Sequence, residues 1–253
     1  MSTTNVRFDL EDFGKVFTIT IGSGKEEKNV KASAALLSSQ SFYFQRACSD
    51  PWSGTDKILN FPDERPETFE VFMAWLNTGN INHASCLQNS KEVDTKIRQK
   101  ILSQLWLQLL HCYLMADYIQ APVYTNIIMD ALIEALKGFE DEPDSELTPL
   151  CDAFFASINL VWDKTLPKSP LRKLFIDSIT STCHASSGMI QKHFSDSVTP
   201  PDGPNLTVPH TFILDILERK FETFANRSRD PAPWDLCYGT YHVTKDLPTS
   251  LSK

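Results

Sequence analysis

The chain has 253 residues, of which 42% are hydrophobic and 22% charged, so it is long enough to bury a core and too apolar for the disordered or fibrous classes. Its formal charge of −8, without a dense run of Lys and Arg, argues against direct nucleic-acid binding and favours neutral or basic protein partners. No apolar run reaches the ~18 residues that cross a bilayer and the N-terminus lacks a signal-peptide pattern, so we expect no membrane partner and a location in the cytosol, the nucleus or both.

Residues 1–13 are predicted to form a polar N-terminal arm that carries three apolar side chains, Phe8, Leu10 and Phe13. Apolar side chains on a polar arm need cover from their own domain or from a partner. Packing on the same domain, a dimer contact and disorder all stay open for this arm. Phe8, Leu10 and Phe13 are therefore candidate dimer contacts.

A β-hairpin is predicted after the arm. Apolar and polar side chains alternate from Val16 to Ile21, and a second stretch ends near Val30. The turn between them contains Gly-Ser-Gly-Lys, which would belong to a phosphate-binding loop only with Gly at the position of Ile19 and Ser or Thr at that of Glu26. We therefore interpret it as a plain turn and expect no cofactor.

Two short helices and a strand follow the hairpin in the prediction. Ser33 and Ser41 each precede an apolar run and can cap a helix. The stretch from Lys57 to Phe61 has the pattern of a strand, which Pro62 ends.

An amphipathic helix is predicted between Pro66 and Gly79, because apolar residues recur at helical spacing and these two residues suit its ends. Ile81 is predicted to begin a short edge strand. Residues 82–98 are polar without steady periodicity, so we interpret them as an inserted loop.

The rest of the chain is predicted to be helical. A long helix contains Trp106, and a second helix starts at Pro122 and ends at Gly138. Residues 139–148 are an acidic connector. Further helices are predicted from Thr148-Pro149 and from Ser169-Pro170. A last amphipathic helix is predicted from the spacing of the apolar residues Phe212, Ile213, Ile216, Leu217, Phe221 and Phe224.

Three sequence pieces resemble the BTB/POZ family. The first is Ala35-Leu36-Leu37 with Ser41 and Phe42-Tyr43-Phe44, the second is Ile58 to Asp63 with Pro66 to Glu70, and the third is Phe72 to Ile81, which is similar to the family's F-x-x-W/F-L-Y-T-G-x-I ending. The long insert, the helical extension and a tail with Cys237 and Tyr241-His242 resemble the fungal branch of these proteins.

The resemblance implies an α+β chain: a BTB/POZ fold, meaning a small mixed β-sheet flanked by helical hairpins, followed by an all-α extension. The BTB/POZ-like domain would span 14–138 and the extension 149–253. The implied function is non-enzymatic protein–protein interaction, in which the domain forms homo- or hetero-oligomers or docks a partner. The partner is another protein or a second copy.

An alternative implied by the resemblance is a substrate adaptor of a cullin-RING ubiquitin ligase. Its cullin contacts would fall at Asn77, Asn80, Ile81, His83, Tyr118 and Tyr124. The chain departs from the family here, because the family's apolar-x-Glu element after the Thr-Gly turn is replaced by Ile81-Asn82-His83. It also has Lys15, Ser33 and Ala34 where many members carry Asp and His-Lys, which argues against the charged pocket of the transcription-factor members.

A metal site or an enzyme site in the extension is a lesser alternative. Cys183, His184, His193, Cys237 and His242 carry donor atoms suited to zinc, but their spacing matches no zinc finger. The alternative reading is a buried thiol and hydrogen-bonded imidazoles that pack the tail on the helices. No hydrolase or metalloprotease motif occurs, so we expect no metal, no catalytic residue and no enzyme.

Overall fold

The computed structural model describes residues 14–49, 56–84, 87, 95–140, 148–182, 208–226 and 231–244. In these residues it contains a three-stranded β-sheet and eight α-helices, which confirms the predicted α+β class. The N-terminal arm, with Phe8, Leu10 and Phe13, lies outside the described residues, and so does most of the acidic connector. None of the described helices is both long enough and apolar enough to span a bilayer.

The sheet is mixed and has the order β2-β1-β3. Strand β1 (Val16–Ile21) pairs antiparallel with β2 (Lys28–Ser33), and this confirms the predicted hairpin. Gly22 between them has a φ of 77°, a conformation that glycine adopts without steric cost. Strand β3 (Asp56–Phe61) runs parallel to β1, with Ile21 opposite Phe61. Alternate residues of β1 are buried, so one face of the sheet covers a core.

Six of the eight described helices, α1 to α3 and α5 to α7, begin at the serine, threonine or proline that predicted them. Their bounds are α1 Ala34–Gln40, α2 Phe42–Ser49, α3 Pro66–Thr78, α4 Thr95–Tyr118, α5 Pro122–Glu140, α6 Thr148–Lys164, α7 Pro170–Thr182 and α8 His210–Asn226. The hydroxyl of Ser33 accepts a hydrogen bond from the Leu36 N–H, and that of Ser169 accepts one from the Arg172 N–H.

Three predictions about element limits are wrong. Ile81 begins a 3-10 turn, Ile81–His83, and not a strand, because the side chain of Asn80 accepts the Asn82 N–H and tightens the chain. The segment 82–98 is not all loop, since α4 already starts at Thr95 among good helix formers. Gly138 does not end α5, which tolerates an internal glycine at a cost of ~1 kcal/mol.

The described residues form two compact units. Unit 1 takes its residues from 1–90, 111–128 and 244–253 and contains the sheet and α1 to α3. Unit 2 takes its residues from 91–110 and 129–243 and contains α6 to α8. Helices α4 and α5 supply residues to both units, although the sequence placed them wholly in the first domain. The limits 14–138 and 149–253 stay a sequence prediction.

Each unit has an aromatic core. In unit 1 the rings pack with centroids 4.9 to 6.3 Å apart, and they belong to Phe44, Phe61, Phe69, Phe72, Trp75 and Tyr124. In unit 2 the corresponding separations are 4.6 to 6.2 Å, between Trp106, Phe154, Phe155, Trp162, Phe175 and Phe212. Such pairs add stability beyond the area that they bury. On the predicted apolar face of α3, Phe69, Phe72 and Leu76 are buried and Met73 is half-buried, and Trp106 on α4 is buried as well.

A buried arginine closes the C-terminal end of α6 in unit 2. The guanidinium of Arg172 donates 3.0 Å to the hydroxyl of Thr165, 2.6 Å to the carbonyl of Trp162 and also to the carbonyl of Thr165. It lies 5.1 Å from the centre of the Trp162 ring. Carbonyl groups at a helix end have no partner within the helix, so a cation here satisfies them and offsets the helix dipole.

We predict that Arg172→Met lowers the free energy of unfolding by about 3 kcal/mol, because it leaves buried carbonyl groups without donors. Lys164→Met makes the same change of charge at an exposed position, where its ion pair with Asp163 contributes little. We expect that control to stay within ~0.5 kcal/mol of the parent. Urea denaturation measures both variants, and equal losses would show that Arg172 does not act as a cap.

Candidate functional site

The candidate site is a groove on unit 1 with a volume of about 360 Å³. Its walls come from α2, from β3 and from the turn that follows α4. The residues are Tyr43, Arg46, Ala47, Leu59, Tyr118 and Gln120. We call this feature the Tyr43/Tyr118 groove.

The start of α2 fixes one wall of the groove. The N–H groups of Phe42 and Tyr43 donate to the carbonyls of Gln120 and Ile119, at 3.1 and 3.3 Å. The hydroxyl of Ser41 donates 2.6 Å to the Ile119 carbonyl and accepts from the Phe44 N–H. The first N–H groups of a helix need outside partners, and here a turn distant in sequence supplies them. The prediction that Ser41 caps a helix is confirmed.

Tyr43 and Tyr118 face each other across this junction. Their ring centroids are 5.9 Å apart with an angle of 37° between the planes, and Tyr43 also lies 5.6 Å from Phe61. Tyr118 is 60% exposed. Burial, followed by the Tyr118 hydroxyl, raises the pKa of Tyr43 above its ordinary value. Tyr43 therefore stays protonated and can donate a hydrogen bond at neutral pH.

The chemistry of the groove is that of a binding surface. Tyr43 and Tyr118 offer aromatic faces with a hydroxyl, Leu59 offers an apolar floor, and Arg46 contributes a guanidinium at the rim. The lining residues include no carboxylate, imidazole or thiol, so they supply no general base near neutral pH. Aromatic residues and arginine are the side chains that protein interfaces favour.

The six predicted cullin contacts divide into exposed and buried residues. Asn77, Asn80, His83 and Tyr118 are exposed. The other two, Ile81 and Tyr124, are buried in the core of unit 1. A buried side chain does not touch a partner, so only the four exposed residues are available for direct contact with a cullin. Of these six, only Tyr118 lines the groove.

The C-terminal segment 231–244 is bound to the helices of unit 2. Tyr238 donates 2.5 Å to Glu134, the ring of His242 lies 2.6 Å from Asp130, and Tyr241 donates 3.0 Å to Asp177. The sequence interpretation of a hydrogen-bonded imidazole that packs the tail agrees with the position of His242. Cys237 is exposed, which corrects the expected buried thiol.

The buried carboxylate of Asp177 is the centre of this attachment. Lys173 lies 3.1 Å from it and Arg219 lies 3.0 Å from it, so two cations face one anion. The ammonium of Lys173 also sits 4.2 Å from the centre of the Tyr241 ring. Buried charges need such partners. The sequence analysis missed Asp177, although the i,i+4 spacing of Lys173 and Asp177 on a helix is a signal for such a pair.

No metal centre forms among the residues that the structure describes, since no three His, Cys, Asp or Glu side chains meet there. Cys183, His184 and His193 lie outside those residues. The other two candidate ligands have different surroundings, because His242 pairs with Asp130 and Cys237 is exposed.

Of the groove residues, the sequence analysis named only Tyr118 as a site. It placed Tyr43 on a helix and Leu59 in a strand without assigning either to a surface, and it did not single out Arg46 or Gln120. Periodicity shows which residues share a face of one element. It does not show that the turn after α4 meets the start of α2.

We predict that alkaline pH weakens the attachment of the C-terminal segment. The hydrogen bond to Glu134 raises the pKa of Tyr238 to about 12, and burial also raises the pKa of Tyr241 above its ordinary value. The unfolded chain releases these protons near pH ~10. This stabilisation is therefore complete below pH ~10 and is lost as the pH rises through about 12.

Denaturation of the parent and of the double variant Tyr238→Phe/Tyr241→Phe at a series of pH values measures this effect. The variant should start less stable at neutral pH, because its two hydroxyl donors are missing. It should then lose less stability than the parent above pH ~10. If the stability of the two proteins fell in parallel as the pH rises, the assignment of this effect to Tyr238 and Tyr241 would be wrong.

Comparisons with known proteins leave the family of the chain open. No protein-family model, no curated protein and no solved structure matches it. The resemblance to BTB/POZ proteins therefore depends on the three sequence pieces alone. What the groove can bind has to be argued from its own residues.

Proposed function

We propose that the chain is a non-enzymatic protein-interaction module, and that its BTB/POZ-like part docks another polypeptide in the Tyr43/Tyr118 groove. The observation that carries this proposal is the exposure of Tyr118, 60%, on a wall that hydrogen bonds hold in place. A large aromatic side chain that is exposed to water in the free protein contributes most to the binding free energy when a partner buries it.

The geometry of the groove favours a peptide segment as the ligand. An apolar side chain of the partner can pack against the two tyrosine rings and Leu59. Arg46 at the rim favours an acidic or carbonyl-rich group next to that side chain. Because this wall is already formed in the free protein, the chain loses little conformational entropy when a partner docks. The mixed sheet with its α-helices agrees with the α+β class that the resemblance implies, which also supports the proposal.

We predict that Tyr118→Ala weakens docking at least ~10-fold, the effect of losing an aromatic hot spot at an interface. The tagged full-length chain serves as bait in its own cells, and the captured partner is identified and its affinity is then measured with purified proteins. Leu166→Ala is the matched control, since Leu166 is an 80% exposed apolar residue of unit 2.

Two outcomes would count against this proposal. One is that the parent captures no partner. The other is that a captured partner binds Tyr118→Ala as tightly as the parent and the Leu166→Ala control. Equal thermal midpoints for the three proteins ensure that a lost interaction is not a lost fold.

A second candidate function is that of a cullin adaptor, which the exposure of Asn77, Asn80, His83 and Tyr118 favours. The purified N-terminal domain of a cullin would then shift the chain on a sizing column, and Tyr118→Ala would abolish the shift. An unshifted parent would remove this candidate. Docking of a different protein in the groove would still hold.

A further inference from the structure

Among the described residues, helix α8 contacts the rest of unit 2 through one face. Phe212 is buried and meets the Trp162 ring edge to face, with 4.8 Å between the centroids. On the same side, Lys220 donates 2.6 Å to the carbonyl of Thr180, and Arg219 pairs with Asp177. These contacts fix the rotation of the helix about its axis.

The opposite face of α8 is apolar and open to solvent. Leu214, Leu217, Phe221 and Phe224 are 62%, 47%, 71% and 85% exposed. The sequence analysis predicted an amphipathic helix here, and it did not assign which of these apolar residues are buried. When a helix carries apolar residues on more than one face, only the face that packs against another element is buried.

The four residues follow each other at intervals of three, four and three. This is the a and d spacing of a coiled coil, and residues at that spacing form a straight seam that another helix can cover. We call Leu214, Leu217, Phe221 and Phe224 the α8 seam. Its period predicts a helix as the partner, because a strand or a loop does not match a repeat of 3.5 residues.

We propose that two copies of the chain associate through their α8 seams. The proposal goes beyond the docking function of the groove and involves other residues. A twofold pair uses the same patch on both copies, so each seam needs no partner other than itself.

The surface available is sufficient for such a pair. A large aromatic side chain buries ~150–250 Å², so the seam with its neighbour Ile213 exposes about 550 Å² per copy. Complete cover of these side chains in both copies would bury about 1,100 Å², which is close to the ~1,000 Å² expected of a specific interface.

An antiparallel pair makes the seam self-complementary. It sets Leu214 opposite Phe224 of the second copy and Leu217 opposite Phe221, so that each layer holds one larger and one smaller side chain. A parallel pair would instead set Phe221 against Phe221 and Phe224 against Phe224. The antiparallel pair also brings the exposed Glu218 of each copy to the same side near the twofold axis, where like charges repel.

Sedimentation of the full-length chain over a concentration series tests the proposal. The parent should shift from monomer to dimer, and Phe221→Asp should raise the dimer dissociation constant at least ~10-fold because it places a charge in the seam. Phe224→Ser, in the last turns of the helix, gives the same readout if Phe221→Asp folds poorly. Glu218→Gln should lower the constant by removing the repulsion near the axis.

Leu166→Asp is the matched control, because it makes the same kind of change at an exposed apolar residue away from α8. It should leave the dissociation constant unchanged. A parent that stays monomeric at all concentrations would overturn the proposal, and so would seam variants that dimerise like the parent. Tyr118→Ala should dimerise normally, so a failure of this proposal is separable from a failure of docking in the groove.

Discussion

The contact between the first N–H groups of α2 and the carbonyls of Ile119 and Gln120 is the constraint on which the groove depends. Backbone N–H groups that leave water must find acceptors, and the opening turn of a helix has none of its own. Gln120, with a φ of 53°, turns the chain after α4 and belongs to the turn that supplies these acceptors. Because Tyr118 precedes this turn and Tyr43 follows the start of α2, the same hydrogen bonds set the two rings side by side.

Unit 2 depends on a different kind of constraint, a buried carboxylate that several elements must satisfy together. Asp177 on α7 has Lys173 from its own helix, Arg219 from α8 and the hydroxyl of Tyr241 from the C-terminal segment. Removing one partner of a buried charge lowers the stability of the fold. The buried carboxylate of Asp177 therefore holds each of these elements in place. The same attachment holds one face of α8 and thereby leaves its opposite face in water.

The sequence predicted the elements well and their neighbours poorly. Alternation in Val16–Ile21 and the proline at the start of α3, α5 and α7 are local signals, and the structure confirms the strand and helices that they predicted. Whether Phe221 is buried cannot be predicted from the local sequence, because it depends on which face of α8 contacts Trp162 and Thr180. Tyr43 stayed unassigned for the same reason, since its groove exists only where two segments far apart in sequence meet.

The groove and the α8 seam belong to different units and involve different chemistry, which has a consequence for affinity. A dimer formed through the seam would carry two grooves, and a partner with two docking segments gains affinity from both when its linker spans the distance between them. After the first segment binds, the second experiences a raised effective concentration, and the total affinity rises without any new contact. A groove of about 360 Å³ holds only a short segment and gives modest affinity on its own. Self-association would therefore favour partners whose paired segments span the two grooves over partners that present a single segment.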